Sequence, residues 1–300
     1  MSRALTVPDL VGAAQSWATI VVAITVQALP FLLLGVLVSA ALAAFVPTRL
    51  LRRMTPEDPV LAVPIATGAG LLLPGCECGS VPVSRSLIQR GVPPAAALAF
   101  LLASPAINPI VLVSTAVAYQ GDPFMPVARL VASVLAAMVV GWLWIVLDGD
   151  TRMVLRGRAG HDHGGRGRLE SFRAAAVHDL LEAGGFLVGG AMVAALVKVS
   201  VPASWFAALS ERPWVAALVM AALAVLLSLC SEADAFVAAS FTGVPVVAQL
   251  VFLVVGPMVD LKLIAMQYGA FGRRFVVVFV PLTLVVAVAC ALAIGSVLSA

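Results

Sequence analysis

Cys76-Glu77-Cys78 places two thiols and a carboxylate on three consecutive residues, bounded by Pro74, Gly75, Gly79 and Pro82. Proline and glycine this dense argue against continuous helix. Thiolates at such a tip suit soft species such as Zn, Cu(I) and similar ions. The plainer alternative is that each cysteine is a small buried hydrophobe. That alternative fits Cys290, in an unbroken apolar run, better than it fits Cys76 and Cys78, with Cys230 between them. A second group is acidic. Glu77, Glu232, Asp234 and Asp260 all lie in apolar surroundings. A charge near a bilayer centre costs about 2.5–3.5 kcal/mol on insertion scales, so four would cost on the order of 10 kcal/mol unless paired, protonated or hydrated. They point either to a polar cavity or proton-coupling site, or to hairpin bases that face water. Asn108 and Asp260 join this group, each three residues after a proline, Pro105 and Pro257. Gln27 and Glu182 are weaker candidates. Lys262, two residues from Asp260, does not share a helix face with it. It is expected to pair with a hairpin carboxylate or to reach towards the inner surface.

These residues sit in a chain that reads twice. Residues 20–147 are echoed by 177–298, offset by about 152–155 positions. The run Leu73 to Ser80 aligns with Leu227 to Asp234, and Gly91-Val92-Pro93 with Gly243-Val244-Pro245. Ser104-Pro105-Ala106-Ile107-Asn108 aligns with Gly256-Pro257-Met258-Val259-Asp260. Duplication with polar residues at matching points is the mark of a transporter built from two structural repeats.

The elements that must position them follow from hydropathy. Residues 17–46, 93–119 and 126–147 make three crossings, the second interrupted by Pro105 and Pro109. Residues 60–74 and 80–90 form a hairpin around the cysteine tip. The second half repeats this with crossings at 176–201, 245–270 and 274–298 and a hairpin in 214–242. The expected fold is therefore an all-α integral membrane protein with two repeats, residues 1–147 and 176–300, each of three crossings plus a hairpin. The total is six to ten membrane segments. Three crossings is an odd number, so the second repeat enters upside down. Placing residues 148–175 in the cytoplasm puts thirteen of the eighteen Lys and Arg residues on that side, as the positive-inside rule requires. Matched loops near 203–213 and 240–244 hold only Arg212. The expected location is the cell membrane, multi-pass, with the long central loop cytoplasmic and both termini outside. His161-Asp162-His163 in that loop reads as part of a solvated linker, with metal capture the alternative.

Composition bounds the class. The chain is 62% hydrophobic and 11% charged, against about 25% charged for a soluble domain. Mean hydropathy is +1.10. No Walker signature or second soluble domain is visible, so energy input by ATP within this chain is not expected. Four cysteines do not make a secreted disulfide framework. No catalytic set, metal centre or cofactor is expected, and no nucleic acid. The expected partners are the lipid bilayer and a small solute, with room for a homo-oligomer.

Pro74-Gly75-Cys76-Glu77-Cys78-Gly79-Ser80, the run from Gly91 to Pro109, and Cys230-Ser231-Glu232-Ala233-Asp234-Ala235-Phe236 together resemble the predicted permease family that includes the ArsP-type organoarsenical efflux permeases. The resemblance covers roughly residues 20–298. It implies efflux of trivalent organoarsenicals and arsenical resistance. From their types and matched places in the chain, Cys76, Glu77, Cys78, Asn108, Cys230, Glu232, Asp234 and Asp260 are the candidate residues that meet the solute. The resemblance also implies, for some members, a second small membrane protein in a two-component permease. The principal expectation is a proton-coupled exporter of a small thiophilic solute, such as a trivalent organoarsenical or a soft metal species. The alternatives are a membrane thiol-redox protein that pairs Cys76 with Cys230, and a non-transporting subunit that anchors a partner. Cys-x-Cys departs from the usual Cys-x-x-Cys redox spacing.

Overall fold

The computed structural model describes residues 7–45, 55–56, 58–71, 77–120, 122–147, 168–200, 213–241 and 244–298. All of its regular elements are α-helices among the described residues. The first half holds α1 (Val7–Phe45), α2 (Pro59–Gly70), α3 (Glu77–Gln89), α4 (Pro94–Ile107), α5 (Pro109–Ala118) and α6 (Phe124–Val146). The second holds α7 (Arg168–Ser200), α8 (Pro213–Leu227), α9 (Asp234–Ser240), α10 (Val246–Val255), α11 (Leu261–Phe271) and α12 (Arg273–Leu298). The order is long helix, hairpin arms, broken pair, long helix, twice over. Helix α7 begins at Arg168, inside the stretch assigned above to the linker. The rest of that linker, including His161-Asp162-His163, lies outside the described residues.

Proline sets several of these boundaries. Pro59, Pro94 and Pro109 stand in the first turn of α2, α4 and α5, where a missing N–H costs nothing and φ is already helical. Pro105 was expected to interrupt its crossing; instead it stays inside α4, and the chain breaks at Asn108, ahead of Pro109. The proline ring of Pro109 disfavours helical geometry in the residue before it, and Asn108 accordingly takes an extended conformation.

Among the described residues, five stretches are long and apolar enough to cross a bilayer: 12–42, 94–118, 124–146, 169–196 and 273–297. The sixth expected crossing, at 245–270, is divided into α10 and α11, each too short alone to span the roughly 30 Å hydrocarbon layer. Helix α1 has 39 residues, about 58 Å at the helical rise, so it must tilt or project beyond the layer.

The first helices of the two halves, α1 and α7, pack along each other, and so do the last, α6 and α12. Trp144 of α6 lies against Phe275 and Phe279 of α12, with ring centroids 5.4 and 5.6 Å away. Helix α4 runs through the centre, with every residue from Ala95 to Ile107 buried. The hairpins are held crosswise. Arm α3 touches α11 of the other half, and arm α9 touches α5. Helix α1 meets the first hairpin at bare backbone: a Cβ added at Gly35 would lie 2.4 Å from the Gly79 Cα.

Candidate functional site

Each of the two helix breaks is mended by its own first residue, and the break at Asp260 lies against the second hairpin, where the Ser228 hydroxyl accepts from the Leu261 N–H at 3.1 Å. Asn108 caps α5, its side-chain oxygen accepting from the Val111 N–H at 2.9 Å. Its amide donates to the Ser104 carbonyl at 3.3 Å. Asp260 caps α11 in the same way, accepting from the Leu263 N–H at 2.6 Å. Asx side chains are strong caps because they satisfy an orphan N–H at the third helical position.

Among the described residues, the buried charged side chains are Glu77, Asp234, Asp260, Arg129 and Lys262. They form two clusters. In the first, the Lys262 ammonium lies 2.5 Å from Glu77 Oε1 and 3.6 Å from Asp260 Oδ2. It also donates to the carbonyls of Ser228 and Leu229, each at 3.3 Å. Pairing with a hairpin carboxylate was expected. Separation from Asp260 was expected too, and that expectation fails for a physical reason: Asp260 is an extended cap residue, so helical spacing does not govern it. A cation in the first turn of a helix also runs against the helix dipole. The carboxylates, not the helix, hold Lys262 in place.

In the second cluster Arg129 of α6 pairs with Asp234 Oδ2 at 3.0 Å and donates to Thr115 Oγ1 at 2.8 Å and to the Ser231 carbonyl at 3.2 Å. Ser231 joins the clusters, since its hydroxyl donates to Glu77 Oε2 at 3.3 Å. Ser231 and Glu77 occupy matching positions in the two repeats, so the hairpin tips meet at equivalent residues. Glu77 and Asp234 each begin a helix, α3 and α9, where a negative charge is favoured. The ion pairs cross between halves: Glu77 with Lys262, Asp234 with Arg129. Sequence reasoning missed Arg129. The available signal was a lone arginine inside an otherwise apolar crossing, which by itself marks an intramembrane polar site.

The thiols separate. Cys76 lies outside the described residues, and with it the Cys76–Cys230 pairing. Cys78 is fully buried in the first turn of α3 and belongs to the apolar core. Cys230 donates to Glu232 Oε2 at 3.0 Å and lines a cavity of about 210 Å³. Lys262, Gln27 and the hairpin residues Ser228 and Leu229 share that lining. Glu232 is half-buried. Cys290 is half-buried on α12, away from this lining. Glu182, matched to Gln27 in the sequence, does not line the same cavity. It pairs with Arg85 of α3 at 2.8 Å and with His178 at 3.4 Å. Among the described residues no three His, Cys, Asp or Glu side chains are grouped so as to hold a metal ion.

The chain therefore concentrates paired charge, one cavity-lining thiol and two helix breaks around the hairpin tips. Comparison with known proteins fits this picture. A family profile described as a predicted permease (ArsP_1) matches residues 13–296. The UPF0718 protein YcgR of Bacillus subtilis (strain 168) is 34% identical over 276 residues, covering 90% of this chain and 94% of the relative. A Streptococcus mutans serotype c protein, named as a subunit of a two-component membrane permease complex, is 33% identical over 285 residues, covering 92% of this chain and 94% of the relative. No solved structure matches the chain.

Proposed function

We propose that this chain, which belongs to the ArsP_1 family of predicted permeases, is a secondary carrier that exports a small thiophilic solute across the cell membrane in exchange for protons. Membership of a permease family argues for a transporter rather than an enzyme. The observation that carries the reading is the cavity beside Lys262 and Cys230, at a junction of buried ion pairs and broken helices. Such breaks, with helix ends and carbonyls turned inward, are how repeat-built carriers make midplane sites.

On this reading Cys230, with Cys76 and Cys78 of the first tip, supplies soft ligands. Glu232, hydrogen-bonded to the Cys230 thiol, takes the thiol proton as sulfur displaces a hydroxide from the electrophilic centre, and returns that proton to the hydroxide, which leaves as water. Glu77, Asp234 and Asp260 are the carboxylates whose protonation is coupled to movement, and Asn108 holds the equivalent break on the other side. The cargo class, trivalent organoarsenicals or soft metal species, is the one the family resemblance implies. The two halves, 1–147 and 176–300, are inverted repeats joined by a cytoplasmic linker at 148–175.

Everted membrane vesicles test this directly. Uptake of a trivalent methylated arsenical is expected to require an imposed proton gradient and to fall to background in Cys230→Ser. Uptake indifferent to the gradient would remove proton exchange from the account. Topology has its own test. Single cysteines at Ser2, Gly160 and Ser210, in a background without the four native cysteines, should react with an impermeant maleimide from outside, inside and outside. Labelling of 160 and 210 from the same side would end the inverted arrangement.

A second reading has one support. The Streptococcus relative is named as part of a two-component complex, and on that basis this chain is one subunit whose transport requires a second membrane protein. Purified chain reconstituted alone would then be inactive, and co-reconstitution with the partner would restore uptake.

A further inference from the structure

The Lys262 ammonium is held by four oxygens drawn from three places in the fold. Glu77 Oε1 comes from the first hairpin at 2.5 Å, the Ser228 and Leu229 carbonyls from the second hairpin at 3.3 Å, and Asp260 Oδ2 from the break before α11 at 3.6 Å. An ammonium has three N–H donors, so it cannot serve all four oxygens. The two carbonyls accept its hydrogen bonds, while Glu77 Oε1 and Asp260 Oδ2 accept none and are held by charge. A free monovalent cation of similar size at the same point would face the same two carboxylates and two carbonyls. Both carboxylates are fully buried, and the Lys262 ammonium lies between them. The oxygen cage opens on one side to the cavity, which Lys262, Ser228 and Leu229 all border.

We infer that this cage is a monovalent-cation site, and that Lys262 is a tethered ammonium standing permanently in it. The oxygens are too few and too widely spaced for Ca²⁺, which takes six to eight at about 2.3–2.6 Å, or for Mg²⁺ at about 2.0–2.1 Å. Their spacing suits a large, weakly hydrated cation such as an alkylammonium or potassium. With the ammonium in place the native protein needs no free cation there. With the ammonium removed, the cage takes one from solution. This inference goes beyond the carrier reading and does not depend on which solute is moved.

The test is thermal melting of Lys262→Ala, Lys262→Met and the native protein in detergent. Each is melted in methylammonium, potassium, sodium or N-methyl-D-glucamine chloride at fixed ionic strength. Lys262→Ala opens the space and is expected to gain about 4 °C at a methylammonium concentration about ten times its Kd. Potassium should give a smaller gain, sodium less, and bulky N-methyl-D-glucamine none. The native protein and Lys262→Met, whose chain fills the space, should not respond. Equal melting of Lys262→Ala in all four salts overturns the inference, as does an equal response in Lys262→Met. If Lys262→Ala fails to accumulate in membranes, growth and extraction with methylammonium should restore it, and no restoration also overturns the inference. Export assays are not involved, so failed transport would bear on the carrier reading alone.

Discussion

At Asn108 a neutral amide caps α5, followed by Pro109 and Ile110; at Asp260 a carboxylate caps α11, followed by Leu261 and Lys262. The two caps do the same backbone work, each accepting from an N–H three residues on. Their surroundings differ. Ile110 is 47% exposed, whereas Lys262, at the matching position, is 2% exposed and surrounded by oxygens. Duplication has kept the break and released the chemistry. One half holds a helix break at no cost in charge, while the other uses the same geometry to seat an ion pair.

The largest effect should come from unbalancing the charged break. Lys262→Met leaves Glu77 and Asp260 facing each other without a base. Removing one partner of a buried pair costs about 3–5 kcal/mol, to be read as lost melting temperature or lost membrane abundance. Adding Glu77→Gln should recover part of that loss. Ile110→Met, at the neutral break, should cost under about 1.5 kcal/mol. Comparable losses at 110 and 262 would erase the distinction. Next is transplantation of charge. Asn108→Asp keeps the cap but buries a carboxylate with no matching lysine, at a cost of about 2.5–3.5 kcal/mol on insertion scales. Pairing it with Ile110→Lys tests whether the first break can be made to resemble the second, and no recovery would show that the hairpin oxygens are indispensable. The smallest effect concerns capping alone. Asp260→Asn keeps an equally good cap, and Asp260→Ala loses it, so the alanine variant should be less stable than the asparagine variant by about 1 kcal/mol. If the two melt together, the Asp260 side chain matters for its charge and not for the helix.

Much of the architecture was legible because it is local. Apolar length gives the long helices, proline gives several helix starts, and the repeated Gly-Val-Pro and Pro-x-x-Asn or Pro-x-x-Asp patterns give the matched breaks. The placement of the break was legible to within a few residues: of the two prolines expected to interrupt the crossing, Pro105 stays helical and Pro109 acts on its predecessor, Asn108. What could not be read depends on contacts between distant elements. Nothing near Arg129 in the chain announces Asp234, since the two meet only when α6 passes the second hairpin. Cys78 and Cys230 look alike as sequence and both are buried in the core, yet of the two Cys230 lines the cavity. The Asp260–Lys262 contact was misjudged because a helical rule was applied across a residue that is not helical.

The crossed pairing of hairpin acids and bases bears on how such a chain can be divided or inherited. Glu77 finds its base in the second half, and Asp234 finds its base in the first. Neither half, made alone, could neutralise its own hairpin, so an isolated half would be a substrate for membrane quality control. A gene cut in the central loop should yield two pieces that survive only when produced together.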